Sequence, residues 1–243
     1  MSPTDSAPAP ESTPLVRIER HGRIAIVHFD RQDGRNALSM RALRELTAAA
    51  RSFEHDPDVS AVILTGTDQL FSLGADLRDP ELQSSRTGRL SERRIASQTG
   101  GKMCRAWEEV EPLTIVAIEG WCVGGGAALA VSCDLRVASS TATLYVPEIE
   151  RGMNLSWGAV PRITRLVGPA RAKRVILLAE RAASLPPVQA RMIKQSINAN
   201  AHALDRAISH SDFDQFMLAT GSGDYAEGVK SFFEKRPPNY SGA

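Results

Sequence analysis

Apolar and polar positions along the chain change period several times, and those changes predict the elements. Residues 15–20 and 24–29 are short β-branched runs on either side of His21-Gly22, which predicts a β-hairpin. From Ser39 the apolar residues Leu43, Leu46, Ala50 and Phe53 recur at helical spacing, and Asp56-Pro57 ends that helix. A strand is expected over 59–65 and a turn over 66–69. Residues 79–98 are polar and charged with few apolar positions, so they read as a mobile, solvent-facing stretch with the character of a lid. Met103, Trp107 and Val110 suit a helix that ends before Pro112, and 114–119 is a buried strand. A helix over 127–132, strands over 135–138 and 143–146, and helices over 156–167 and 170–181 follow, the last two joined by Gly168-Pro169.

From Ser184 onward only helical periodicity is left. Pro186 and Pro187 suit a first turn. Phe213, Phe216 and Met217 form one apolar face; Val229, Phe232 and Phe233 form another. Strands alternating with helices, then helices alone, predict an α/β core with a helical C-terminal module. The expected organisation is a disordered tail over 1–14, a core over 15–181 and a helical region over 182–243.

Composition narrows the classes. A chain of 243 residues can bury a full core. Its 29 Lys+Arg against 28 Asp+Glu leave a net charge of +1, which gives no basic excess for nucleic acid or an anionic membrane. The three cysteines, Cys104, Cys122 and Cys133, lack metal-ligand spacing, and their odd number makes a poor disulfide framework. Free thiols in a reducing cytoplasm are expected. No apolar run is long enough to span a bilayer, and the Ser/Pro/Ala-rich start has neither the apolar stretch of a signal peptide nor the arginines of a transit peptide.

Two glycine-bearing segments carry the chemistry. They are Phe71-Ser72-Leu73-Gly74-Ala75-Asp76-Leu77 and Gly120-Trp121-Cys122-Val123-Gly124-Gly125-Gly126-Ala127-Ala128-Leu129-Ala130. Each follows a β-branched run and precedes a helix-like stretch, a turn that can leave backbone N–H groups free and aimed at one point. Two such groups on one carbonyl oxygen stabilise negative charge as it develops, so an enolate or a tetrahedral oxyanion is expected. Neither segment carries a phosphate-loop Gly-Lys-Ser/Thr ending, and the third glycine of a dinucleotide fingerprint is missing. Close strand–helix packing also requires glycines at 124–126, and both demands can hold together.

With these segments, the chain resembles the crotonase, or enoyl-CoA hydratase/isomerase, superfamily. The resemblance is carried by Arg35-Asn36-Ala37-Leu38, the two glycine segments through Asp134, Pro147-Glu148, Arg165-Leu166-Val167-Gly168 and Glu234-Lys235-Arg236-Pro237-Pro238, in that order. It implies a spiral of ββα turns forming two roughly perpendicular sheets. It also implies a C-terminal helical region used in trimer contacts, with a homotrimer or hexamer as the assembly. The substrate it implies is an acyl-CoA thioester, with coenzyme A arriving as part of the substrate and no separate cofactor or metal. By motif position the oxyanion donors are the amides of Ala75 and Gly125. Arg35, Arg78 and Lys235 are candidates for the coenzyme A phosphates.

The carboxylates decide which reaction the resemblance implies. Family hydratases resemble one another in using two glutamates, one two residues after the glycine triplet and one in the Pro-Glu pair. Here the first position is Ala128 and the second is Glu148. A single glutamate resembles the enoyl-CoA isomerases, in which one carboxylate shuttles a proton through a dienolate, and an apolar site would raise its pKa toward working pH. Glu150 is a candidate second acid of unknown direction, and Asp76 reads as a helix-capping acid. Ser156 is expected to cap the following helix, and Trp157 to pack or to narrow the acyl pocket. The rival functions are a hydratase with a substitute second acid and a non-catalytic acyl-CoA-binding protein, with hydrolysis or decarboxylation of an acyl-CoA as a weaker third. Between Arg181 and Ser184 the chain lacks a strand–helix stretch that relatives carry.

Overall fold

The computed structural model describes residues 13–151, 153–177, 187–201, 222–239 and 241. The expectations for 1–12, for Pro186, for the junction at 181–184 and for the face of Phe213, Phe216 and Met217 lie outside them. Two compact units are present, Met1–Ile197 and Asn198–Ala243.

The first unit opens with β1 (Val16–His21) and β2 (Ile24–Phe29), antiparallel across a left-handed Gly22. α1 (Met40–Arg51) returns the chain to β3 (Ala61–Thr65), and α2 (Pro80–Thr87) and α3 (Leu90–Glu108) return it to β4 (Leu113–Ile118). β5 (Trp121–Val123), α4 (Gly125–Ala130), β6 (Leu135–Ala138) and β7 (Thr143–Tyr145) follow. A five-stranded sheet has the order β1-β2-β3-β4-β6, parallel from β2 onward, and β5 pairs with β7 in a parallel two-stranded sheet. The chain continues into α5 (Ala159–Leu177) and α6 (Pro187–Ala201).

Period-two burial places the core. Ala25, Val27 and Phe29 of β2, Val62 and Leu64 of β3 and Val116 of β4 are buried on the same alternation. The core also contains Leu43, Leu46 and Ala50 of α1, Met103 and Trp107 of α3, and all of α4. Each large side chain there, such as Phe29, Phe53 or Phe71, contributes about 2–3 kcal/mol of transfer free energy. Ile193 and Ile197 of α6 are buried too, so this unit reaches beyond the expected boundary at 181.

The stretch 79–98, expected from the sequence to be a mobile, solvent-facing stretch with the character of a lid and no helix, forms α2 and the first half of α3. Asp79 caps α2 by accepting the Glu81 N–H at 2.9 Å, and Pro80 starts the helix. Glu92 accepts the Arg89 N–H at 2.9 Å at the start of α3. These polar caps supply the order that the weak apolar pattern does not reveal. The solvent-facing part of the expectation stands, because Leu90 and Ile95 are exposed. Gly168, with φ 75° and ψ 161°, breaks α5 at the expected Gly-Pro junction.

The second unit contains α7 (Gly223–Glu234), capped by Ser222 on the Tyr225 N–H at 3.1 Å and ended by Lys235 in the left-handed region. Arg236 forks onto Glu227 at 2.5 and 2.9 Å. Phe232 and Phe233 pack edge-on at 5.6 Å and are exposed.

Candidate active site

The Arg-Asn-Ala-Leu motif is the scaffold of the first glycine segment. Asn36 is buried, and its carboxamide donates to Phe29 O at 2.7 Å and Phe71 O at 2.8 Å, which ties the end of β2 to the start of the segment. Ser72 donates its hydroxyl to Asn36 O at 2.7 Å and accepts the Gly74 N–H at 3.1 Å. Arg31 Nη1 bonds Ala37 O at 2.8 Å and Asp76 Oδ2 at 2.6 Å. Asp76 therefore anchors a loop rather than capping a helix, a correction to the sequence reading; Asp79 is the capping acid. Arg31 helps hold the Asp76 carboxyl below the usual carboxylate range, against the opposing effect of burial.

Ser72 also joins the two glycine segments. It forms a parallel bridge with Cys122, donating its N–H to Trp121 O at 3.0 Å and accepting the Val123 N–H at 2.9 Å. Two residues further on, the backbones of Gly74 and Gly125 nearly touch. A Cβ on Gly74 (φ 82°) would lie 2.7 Å from Val123 O and 3.2 Å from Gly125 N, and a Cβ on Gly125 would lie 3.3 Å from Ala75 N. Glycine at 74 is what lets the chains approach this closely, and a side chain at 125 would tighten the contact further.

The two amides are free for different reasons. Leu38 bridges Ala75 in parallel register by donating to Gly74 O at 2.7 Å and accepting from Asp76 N at 3.0 Å. In that pattern the intervening residue turns its own N–H to the opposite side. Gly125 is the first residue of α4, where no intrahelical acceptor exists. Neither N–H donates to any acceptor among the described residues. Two unspent donors on the lining of one cavity, one of them at the positive end of a helix, are the kind of group that stabilises a carbonyl oxygen on which charge develops.

Glu148 follows β7 through Pro147, and its carbonyl is fixed by the N–H groups of Arg151 at 3.1 Å and Met153 at 2.9 Å. Its Oε1 lies 2.5 Å from where a Cβ on Gly124 would sit, so the missing side chain there admits the carboxylate. Its Oε2 is buried with no hydrogen-bond partner among the described residues. Burial pushes this carboxyl up from its ordinary value, offset in part by its own backbone N–H and by Arg151. Glu148, Ala75 and Gly125 line one cavity of about 190 Å³, with Leu38, Met40, Leu43, Leu77 and Leu82 as much of its apolar wall. Ala128 lines the same cavity and brings no acid to it.

Trp157 and Ser156 are also on the cavity wall. Among the described residues Ser156 gives the start of α5 only its backbone carbonyl, to Ala159 N at 3.0 Å, so the expected side-chain cap is corrected. Glu150 does not line this cavity: it is exposed and takes the Tyr145 hydroxyl at 2.5 Å, which corrects its candidacy as a pocket acid. Arg35 and Arg78 are exposed outside the cavity lining, and Lys235 belongs to the second unit. Sequence reasoning missed Asn36 as the scaffold residue, Asn154 in the lining and Gly100, whose lack of a side chain makes room for the Trp157 indole. The cysteines are no nucleophiles: burial pushes Cys104 up to about 11 and Cys122 and Cys133 to about 12. Among the described residues no group of three or more His, Cys, Asp or Glu side chains is placed to hold a metal ion.

Residues 19–184 match the family model described as enoyl-CoA hydratase/isomerase. The chain is 29% identical over 254 residues to the short-chain-enoyl-CoA hydratase of Clostridium acetobutylicum, covering 91% of this chain and 95% of that protein. It is 29% identical over 258 residues to the crotonyl-CoA hydratase of Syntrophomonas wolfei, covering 93% and 97%. That alignment is longer than the 243 residues of this chain, so the relative carries residues that this chain lacks. Among solved structures, the enoyl-CoA hydratase of Bacillus anthracis superposes with a TM-score of 0.62 at 25% identity, over 95% of this chain and 100% of that one.

Proposed function

The chain belongs to the enoyl-CoA hydratase/isomerase family, and from that premise we propose that it holds an acyl-CoA thioester by its carbonyl oxygen, between the amides of Ala75 and Gly125, while Glu148 alone moves the proton. The observation that supports this reading is that two residues with unspent N–H groups and a carboxylate with one buried, unpartnered oxygen line a single, largely apolar cavity.

The chemistry follows from the inventory. With a 3-enoyl thioester, Glu148 takes the proton from C2 and the C–H electron pair passes into a dienolate whose negative oxygen rests on the two amides. The same carboxyl returns the proton at C4, leaving the double bond between C2 and C3. No other acid is required. One well-aimed oxyanion donor contributes about 3 kcal/mol to such a transition state. The apolar wall excludes water and keeps the carboxylate basic.

Hydration is the second reading, favoured by the names of the relatives, which are called hydratases. It asks for an acceptor of a proton from water and a source of the proton delivered to Cα. Ala128 supplies neither, and Glu150 is engaged with Tyr145. Parallel assays of the full chain on a 3-enoyl-CoA and a 2-enoyl-CoA separate the readings. Conversion of the first without hydration of the second is expected. Hydration as the faster reaction would reject the isomerase assignment, and tight binding with no turnover of any thioester would make the protein a binder.

Arg35, Arg78 and Lys235 are proposed for the coenzyme A phosphates, a homotrimer or hexamer for the assembly and the cytoplasm for the location. Free buried thiols suit a reducing compartment, and no helix among the described residues is long and apolar enough to cross a membrane.

A further inference from the structure

Trp157 has an unusual backbone for a bulky residue. Its φ is 55°, and Gly158 beside it is at 73°. A left-handed tryptophan costs about 1–3 kcal/mol and persists only where its surroundings dictate it. Two contacts do so. Its carbonyl accepts Arg162 Nη1 at 2.9 Å, and its indole is wedged against two glycines. A Cβ on Gly100 would lie 2.0 Å from the indole Cε2, and a Cβ on Gly125 would lie 2.5 Å from Cζ3. The ring therefore rests on the backbone of the residue whose amide is one of the two free donors. The same missing Cβ of Gly125 would lie 3.3 Å from Ala75 N, so the indole and the first glycine segment both press on the first turn of α4.

Arg162 is itself gripped. Its Nε and Nη2 fork onto Glu108 of α3 at 3.0 and 2.5 Å, and its side chain is only 10% exposed. A Cβ on Gly158 would come within 2.5 Å of Nη1, so that glycine keeps the guanidinium's place open. Each of the three guanidinium nitrogens thereby donates, two to the carboxylate and one to the carbonyl. Arg162, Glu108 and Gly158 lie outside the cavity wall, to which Trp157, Gly100 and Gly125 belong.

We propose that Arg162, braced by Glu108, is a positioning residue: by holding the Trp157 carbonyl it seats the indole on Gly125 and fixes the direction of the Gly125 amide. This rests on the reading that the Ala75 and Gly125 amides receive the thioester oxygen. A structural ion pair would affect melting alone; a positioning one affects the oxyanion.

The test uses acetoacetyl-CoA, whose enolate has its own near-ultraviolet band, titrated into the full-length protein at a pH where the free ligand is not ionised. The wild type is expected to raise that band. In Arg162→Met the band at saturation and kcat on 3-enoyl-CoA are expected to fall about ten- to hundredfold, as for a donor displaced by a fraction of an ångström. KM should stay within about twofold, since ground-state contacts remain. Arg162→Lys, which reaches one partner but not both, should recover part of the loss, and Glu108→Gln should lie between the wild type and Arg162→Met. A folded Arg162→Met with the wild-type band and kcat would overturn the proposal. If that variant does not fold, Arg162→Lys and Glu108→Gln at wild-type values overturn it equally. A wild type that turns over thioesters without raising any band removes the oxyanion reading, and this proposal falls with it. Loss in the variants alone, against a normal wild-type band, supports both.

Discussion

Glu148 serves function at the expense of stability. Its folded pKa is raised, so the native state binds the proton more tightly than the unfolded chain does. The resulting stability is fully present below the unfolded carboxyl pKa and is lost as pH rises through the folded value. Glu148→Gln removes the buried charge. Its melting temperature should therefore exceed the wild type's at neutral pH, and the difference should shrink toward acid pH, measured by calorimetry across that range. The same variant should lose about 10²–10⁴-fold in kcat on 3-enoyl-CoA, the usual value of a positioned base. The wild-type rate should fall as pH drops through the raised pKa, because only the carboxylate removes a proton; a flat acid limb would take Glu148 out of the mechanism. Ala128 offers the converse experiment. Ala128→Glu places a second acid on the wall of the cavity that Glu148 lines. It should gain hydration of 2-enoyl-CoA while losing about 1–3 kcal/mol of stability for a buried polar group. The loss of the conjugated absorbance reports the first effect and urea titration the second.

At the scale of elements, Asp79 ties two helix starts together. It accepts the Glu81 N–H at the start of α2 and, at 2.6 Å, the N–H of Met40 at the start of α1. Met40 and Leu82 both line the cavity, so this cap shapes its wall. Asp79→Ala leaves one buried and one part-buried donor unanswered and should lower stability by about 2 kcal/mol in urea denaturation, where Asp79→Asn retains one acceptor and costs less. Asp79-Pro80 is also a legible start signal, outweighed in reading the sequence by the polar composition around it. Local signals were sufficient elsewhere: Ser39 caps α1 by accepting the Ala42 N–H at 3.1 Å, Gly22 turns the hairpin, and Gly168 marks the break in α5. What stayed hidden depends on distant partners. β5 is three residues long and exists because it pairs with β7 some twenty positions on. Asn36 matters through Phe71, and Gly100 in the middle of α3 is explained only by an indole from position 157. The glycine segments announced that something approaches closely; they did not say that it is each other.

At the scale of the molecule, the large sheet ends in an exposed strand. Among the described residues β6 is one of its two edges, opposite β1, and Leu135 and Val137 share one face of it at 49% and 61% exposure. Apolar side chains on an uncovered edge favour association unless another chain covers them. A second copy of the same chain is the partner that the proposed trimer or hexamer supplies, and β6 would then lie in a subunit contact. Light scattering should give a mass of three or six times 26.3 kDa for the wild type. Val137→Lys puts a charge on that face and should shift the mass toward the monomer as concentration falls. The amides of Ala75 and Gly125 and the carboxylate of Glu148 all come from one chain, and every described residue that lines their cavity belongs to the first unit. Dissociation by Val137→Lys should therefore leave the acetoacetyl-CoA enolate band in place. If the band disappears with the trimer, a neighbouring subunit is part of what shapes the hole, and a single chain is not the catalytic unit.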